Sequence, residues 1–427
     1  MLFKVVSNVR RFTVSQQAFQ MLTAMALLGM CAVPKAAHAS DANNPNANYF
    51  IASNGSNQVM MYNEDTGKFL GVVAAVSAPV ASQIGPGADL YQSAAGSGQV
   101  LRFDGFTGAY KGVFIDKGNG GLNCPTAPNF GPDGLVYVGD NCSNQMLRYT
   151  QDGKFVDVFA DASSGLVLPF MQTFDQNYMY IAAGGTNQVI VYNVWTKQVT
   201  DRCVPPNPAD MQQPIGLEIG PNGDLYAGSA LTNSVVRFTR DGKGHCAFKD
   251  IFVPPGYGGI SNPHAIRFGG PNSNLYVVST GTNQVMTYDR VTGKFLGIEA
   301  DGNKDGMSQA RGLTFTPRPI FNVYAKVLGD VSIPGIHDFK HVHVDHELKD
   351  FSDSSPDAVL MSIDYSDKSV DVSKMVLHAH IGKPDYNFQL DFANRSGAEQ
   401  HYTISYIATN SHGLTTMATT EVDVPPM

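Results

Sequence analysis

Residues 263–295 read PHAIRFGGPNSNLYVVSTGTNQVMTYDRVTGKF, and the way this stretch divides decides the fold. A strand opens at Pro263, and Tyr276 lies in a second apolar run. Thr282-Asn283-Gln284 turns the chain and Val285 to Tyr288 returns it. Thr292-Gly293-Lys294 then turns it again into a strand starting at Phe295. Turn-forming residues between short apolar runs predict a four-stranded antiparallel meander.

The unit recurs through most of the chain. An aromatic followed nine residues later by Val or Met appears at Phe50/Val59, Tyr91/Val100, Tyr137/Met146, Tyr180/Val189, Tyr226/Val235 and Tyr276/Val285. Successive aromatics stand 41, 46, 43, 46 and 50 residues apart, the period of a propeller blade. The strand before each aromatic aligns from Pro79, Pro125, Pro169, Pro214, Pro263 and Ala310. Its third residue is Ala81, Ala127, Met171, Gly216, Ala265 or Gly312, nearly always small. Its fifth is polar: Gln83, Asn129, Thr173, Glu218, Arg267 or Thr314. Its sixth is apolar: Ile84, Phe130, Phe174, Ile219, Phe268 or Phe315. Side chains alternate along a strand, so one face suits a crowded, wet central channel and the other packs between blades. No such strand precedes Phe50, whereas the sixth copy follows the last outer strand. The economical expectation is that Ala310 to Phe315 completes the first blade and removes its open edge.

Pro214-Ile215-Gly216-Leu217, leading to Gly220-Pro221-Asn222-Gly223-Asp224-Leu225-Tyr226, resembles NHL-repeat propellers. It also resembles the wider group of gluconolactonase-like and streptogramin-lyase-like proteins. The resemblance covers about Phe50 to Thr316. It implies a fold shared by lactone hydrolases, C–O lyases, an amidating lyase and pure binding scaffolds, so activity must be argued from the site.

Near Pro317 the period stops. From Pro319 onward the chain holds 7 Lys+Arg against 15 Asp+Glu, with eight of its 11 histidines. Alternating segments at Phe321 to Leu328, Val342 to Leu348, Ala358 to Asp364, Val372 to His380, Tyr386 to Phe392, Tyr402 to Thr409 and Thr415 to Val424 predict a β-sandwich. Tyr402 to Asn410, then Gly413 and a further strand, resembles the final hairpin of bacterial Ig-like modules. The expected fold class is therefore all-β: a six-bladed β-propeller over 40–317, then an Ig-like β-sandwich over 318–427.

Residues 1–39 have the layout of a secretory signal peptide. Lys4, Arg10 and Arg11 precede the apolar run Ala18 to Val33, and Ala37-His38-Ala39 offers a cleavage site before Ser40. The run is short for a bilayer span, so no transmembrane segment is expected in the mature chain. Met30 spoils the lipoprotein-like Leu28-Gly29-Met30-Cys31. Removing this segment changes the net charge of −8 to −12, from 25 Lys+Arg against 37 Asp+Glu. Such an excess of acid argues against a nucleic-acid partner. The cysteines left are Cys124, Cys142, Cys203 and Cys246, an even set for the oxidising periplasm or exterior. Cys124–Cys142 and Cys203–Cys246 are the expected pairs.

Two constellations carry chemistry. In the channel, His264 and Arg311 at second positions stand near the fifth-position ring of Gln83, Asn129, Glu218 and Arg267. Arginine forks suit a carboxylate or sugar acid, and Glu218 or His264 can act as a general base. The competing reading is a structural Glu218–Arg267 ion pair. In the sandwich, His341 and His343 share a strand face and His378 and His380 share another, a set suited to zinc or copper if the strands are neighbours. Calcium is a third candidate cofactor, although Asp301 to Gly306 has Gly312 where a calcium loop needs Glu. Function is expected to be binding or scaffolding of a small molecule, saccharide or protein at one propeller face. The alternatives are a lyase or lactone hydrolase at the channel mouth, and a histidine-bound metal protein.

Overall fold

The computed structural model describes residues 44, 46–270, 272–331, 338–394 and 396–426. The expected signal peptide lies outside them. Among the described residues between 48 and 315 the chain forms six four-stranded antiparallel sheets. Their innermost strands are Pro79–Gly85, Pro125–Phe130, Pro169–Phe174, Pro214–Ile219, Pro263–Gly269 and Ala310–Phe315. Each inner strand packs on the next, and Ala310–Phe315 packs on Pro79–Gly85. Ala310–Phe315 also pairs with Asn48–Ser53, placing Phe50 opposite Thr314. We number the sheets one to six from the one containing Asn48–Ser53.

The recurring aromatic joins one sheet to the next. Tyr91 meets Phe130 at 5.0 Å between ring centroids, Tyr137 meets Phe174 at 5.0 Å, Tyr226 meets Phe268 at 4.9 Å and Tyr276 meets Phe315 at 5.1 Å, all edge to face. The sixth position of each inner strand is thus the socket for the preceding sheet's anchor, which explains why it is apolar. The third position is small for a different reason. A Cβ on Gly216 would lie 2.5 Å from the His264 carbonyl oxygen, and one on Gly312 would lie 2.7 Å from that of Val80.

The Ser/Thr-Asn-Gln turns are also joints. Asn57, Asn144, Asn187, Asn233 and Asn283 all adopt positive φ. Their Oδ1 atoms accept the backbone N–H of Ala78, Leu168, Gln213, Asn262 and Gln309, each just ahead of the next inner strand. Asn tolerates the left-handed conformation and supplies the acceptor that the next sheet needs. Sheet two has Gly98 at this place, with no side chain to offer. The strand it would hold is preceded instead by Cys124, fixed by its disulfide to Cys142 and by the Asp140 carboxylate. Cys203–Cys246 ties the outer strands of sheets four and five. Both disulfides match the expected pairs.

Beyond Pro317 two sheets face each other. One orders Ile320–Val331, Phe339–Lys349, Asn387–Asp391 and Val376–Leu377; the other orders Asp357–Tyr365, Gln400–Thr409 and Thr415–Val424. Val342, Val344, Leu360, Leu390, Tyr402 and Ile404 fill the space between. The strand expected over Val372 to His380 is largely absent. Val372–Lys374 is a 3₁₀ turn, and pairing stops at Leu377 because His378 turns to φ +63°.

This C-terminal unit sits on one end of the ring of sheets. Thr419 donates its N–H to the Pro221 carbonyl at 2.8 Å, Phe106 stacks on His412 at 4.6 Å, and Phe130 meets Phe351 at 6.1 Å. Arg318 pairs with buried Glu64, and Asn44 donates to the His412 carbonyl. These contacts involve turns of sheets one, two and five and the last inner-strand residue of sheet three, all at the end where the inner strands finish.

Candidate functional site

One irregularity positions the channel residues. In every sheet, the first four residues of the inner strand span the distance that three residues span on its partner. Pro263 faces Ser279 and Ile266 faces Val277, and the same offset follows Pro79, Pro125, Pro169, Pro214 and Ala310. A bulge of this kind breaks alternation and re-aims a side chain. The second residue, which strict alternation would send between sheets, turns toward the axis. The rings of Phe170 and His264 meet edge to face at 6.0 Å, although their sheets, four and six, are not neighbours. Their contact reaches past the inner strand of sheet five, which lies between them.

The second-position set is therefore Val80, Thr126, Phe170, Ile215, His264 and Arg311. Val80, Thr126, Ile215 and His264 are buried. The His264 Nδ1 atom is buried without a hydrogen-bond partner. Burial, reinforced by the Arg311 charge, pushes the imidazole down to about 3, so it is neutral at ordinary pH. Arg311 is half-buried. Its guanidinium has no ion-pair or hydrogen-bond partner among the described residues, and desolvation lowers its pKa.

The fifth positions lie about 10 Å further along the strands, three residues away. Arg267 Nη1 lies 3.0 Å from Glu218 Oε2 and also donates to the Ile266 carbonyl. Burial raises the Glu218 carboxyl, and Arg267 opposes that shift. Asn129 donates to the Gln172 carbonyl at 2.9 Å. Gln83 is half-buried, beside Thr314, which bonds Ser82. Of the expected group, Glu218 and Arg267 stand at fifth positions of their strands and His264 and Arg311 at second positions. Arg267 closes on Glu218 at the end carrying the C-terminal unit, while His264 and Arg311 belong to the other end.

The histidines of the sandwich do not converge among the described residues. His341 faces Gln389 and His343 faces Asn387, with His343 Nε2 3.2 Å from Asp345. His378 and His380 lie beyond the end of their strand, and His380 Nδ1 is 2.7 Å from Asp385 instead. Among the described residues, three potential ligand atoms come together only at Cys124, Asp140 and Cys142, and two of those are the disulfide sulfurs.

Two features escaped the sequence reading. Phe170 shares the second position with His264 and Arg311, but only the bulge brings it to the axis. The other lies between sheets six and one, where a cleft of about 370 Å³ is lined by Phe69, Ile298, Glu299, Asp301 and Asp305. Burial and the neighbouring Glu64 and Asp65 push the Glu299 carboxyl up to about 7. No periodicity marks it.

No protein-family model and no curated protein matches the chain. Solved structures do. A chain of the nidogen/laminin complex is 14% identical over 63% of this chain and 98% of its own, with a TM-score of 0.51. A catalytically inactive virginiamycin B lyase from Staphylococcus aureus, with quinupristin, is 18% identical over 60% and 85%, at 0.43. A protein of unknown function from Bacteroides caccae is 13% identical over 63% and 98%, at 0.47. The first establishes a β-propeller fold. At these identities the likeness is one of fold alone. Among the described residues no helix is long and apolar enough to cross a membrane.

Proposed function

We propose that this chain is a secreted or periplasmic six-bladed β-propeller, closed by Ala310–Phe315 completing its first blade. An Ig-like sandwich over 318–427 sits on one face. On this reading the protein is a binding or scaffold protein that holds its ligand or partner at the opposite face, which the described residues of the C-terminal unit leave uncovered. The observation that carries it is the Phe170–His264 contact at 6.0 Å between sheets that are not neighbours, which narrows the channel near that face. A hydrolase or lyase working from the channel needs its base and its anion-binding groups around one substrate. Here Glu218 is already paired with Arg267, three strand positions along from the ring of second positions that holds Arg311. The layout of residues 1–39 and the two disulfides support export to an oxidising compartment. A propeller of the same fold in a nidogen/laminin complex is used in a protein assembly, which suits this reading.

The test is a turnover assay on purified protein with simple lactones and a streptogramin-type depsipeptide. No turnover above buffer is expected. Turnover that Glu218→Gln or His264→Asn abolishes would replace the scaffold reading with the enzymatic one.

A further inference from the structure

We propose that Arg311 forms a binding site for a carboxylate monoanion on the uncovered face of the propeller. The inference rests on the reading that this face is the working one and names the chemistry it recognises.

Arg311 stands apart from the other arginines of the ring. Arg102, Arg148, Arg237, Arg240, Arg267 and Arg318 each face a carboxylate within ion-pair distance. Arg290 is compensated electrostatically by Asp289 and Asp364, and Arg202 is exposed and donates to Gln188 and to the Ser164 carbonyl. Arg311 alone combines partial burial with no compensating charge among the described residues. A guanidinium stays ionised in a protein, so taking it from water without a partner costs free energy that an anion would return. Its neighbour adds a second deficit, the buried and unpartnered His264 Nδ1.

The carboxylates in the loops that lead into the inner strands have other partners: Asp116 accepts from Gln99, Asp161 from Ser163, Asp210 from Asn207 and Asp301 from Asn303, while Asp305 lies beside Tyr62. The turns over 53–58, 94–99, 183–188, 229–234 and 279–284, which crown this face, contain no charged residue. The sixth turn carries Asp140, but its carboxylate is already engaged by the backbone N–H groups of Asn123, Cys124, Cys142 and Ser143. With His264 neutral, the site offers one positive charge in a planar fork. That matches a carboxylate in charge and shape; a phosphate dianion would want a second cation. The carboxylate can belong to a free acid or to the C-terminus of a partner polypeptide.

The test uses the full mature chain and calorimetric titration at low salt with four probes. They are lactate, a short peptide with a free C-terminal carboxylate, the same peptide as its C-terminal amide, and inorganic phosphate. Binding of lactate or the peptide acid, with roughly tenfold or greater weakening in Arg311→Gln, is expected for a charged hydrogen-bonded contact. The stronger of those two probes identifies the source. Arg311→Lys, which keeps the charge and loses the fork, should fall between wild type and Arg311→Gln, and it serves as the second variant if Arg311→Gln does not fold. Lack of binding by both acids, equal affinity in wild type and variants, equal affinity of peptide acid and amide, or a preference for phosphate would each overturn the site. Turnover in the lactone and depsipeptide assay would instead remove the scaffold reading and leave the Arg311 contact standing.

Discussion

Asn187 does two things at one backbone position. It accepts a left-handed φ of 57° and it holds the Gln213 N–H of the next sheet at 2.8 Å. Asn187→Ala should therefore cost about 1–2 kcal/mol from the lost hydrogen bond and the strained φ together, and Asn187→Gly less, because only the bond is lost. Urea unfolding of the two variants checks the order. Arg318 gives a larger effect because its partner Glu64 is only 5% exposed and lies in a cluster with Asp65 and Glu299. Arg318→Ala leaves that carboxylate unpaired and should cost about 3–5 kcal/mol. Glu299 behaves in the opposite sense to most carboxylates. Between its ordinary value of 4.5 and about 7 the folded chain binds more protons at this site than the unfolded chain does. Its contribution to stability therefore falls as pH rises through that window. Glu299→Gln should raise the melting temperature at pH 8 and leave it nearly unchanged at pH 4.5; equal shifts at both would contradict the burial argument.

At the level of strands and turns, legibility followed periodicity. The aromatic anchors, the small third positions and the Asn-containing turns repeat in most sheets, because each answers a contact that every pair of neighbouring sheets must make. They could be read from one chain for that reason. The bulge could not. Pro opens five of the six bulged strands, but the second residues, Val80, Thr126, Phe170, Ile215, His264 and Arg311, share neither size nor polarity, so nothing singles out Phe170 beside His264 and Arg311. Phe170 was overlooked in consequence, and Glu218 and Arg267 were grouped with His264 and Arg311 although they stand three strand positions further on. The Val372 to His380 segment failed similarly. Its apolar alternation is real, but a left-handed His378 ends the pairing after two residues. The Cys203–Cys246 link joins elements separated by 43 residues and should contribute about 4 kcal/mol through the unfolded state. A Cys203→Ser/Cys246→Ser double variant, compared with wild type in denaturant, measures it.

For the molecule as a whole, the acidic C-terminal unit does more than extend the chain. Its contacts reach several sheets at once, through Thr419, His412, Phe351 and Arg318. We expect the two parts to unfold in a single calorimetric transition; two resolved transitions would mean that these contacts contribute little. The strand exchange that joins Asn48–Ser53 to Ala310–Phe315 has a consequence for how the protein is made. Asn48 donates its N–H to a hydroxyl on Thr316, 268 residues later. During synthesis at about 5–20 residues per second, that first strand waits roughly a quarter of a minute to a minute for its partner. Throughout that interval its edge is open to any other extended chain. The nascent protein is thus most exposed to misassembly at its beginning, and protection there, by a chaperone or by delayed folding across a membrane, would govern its yield.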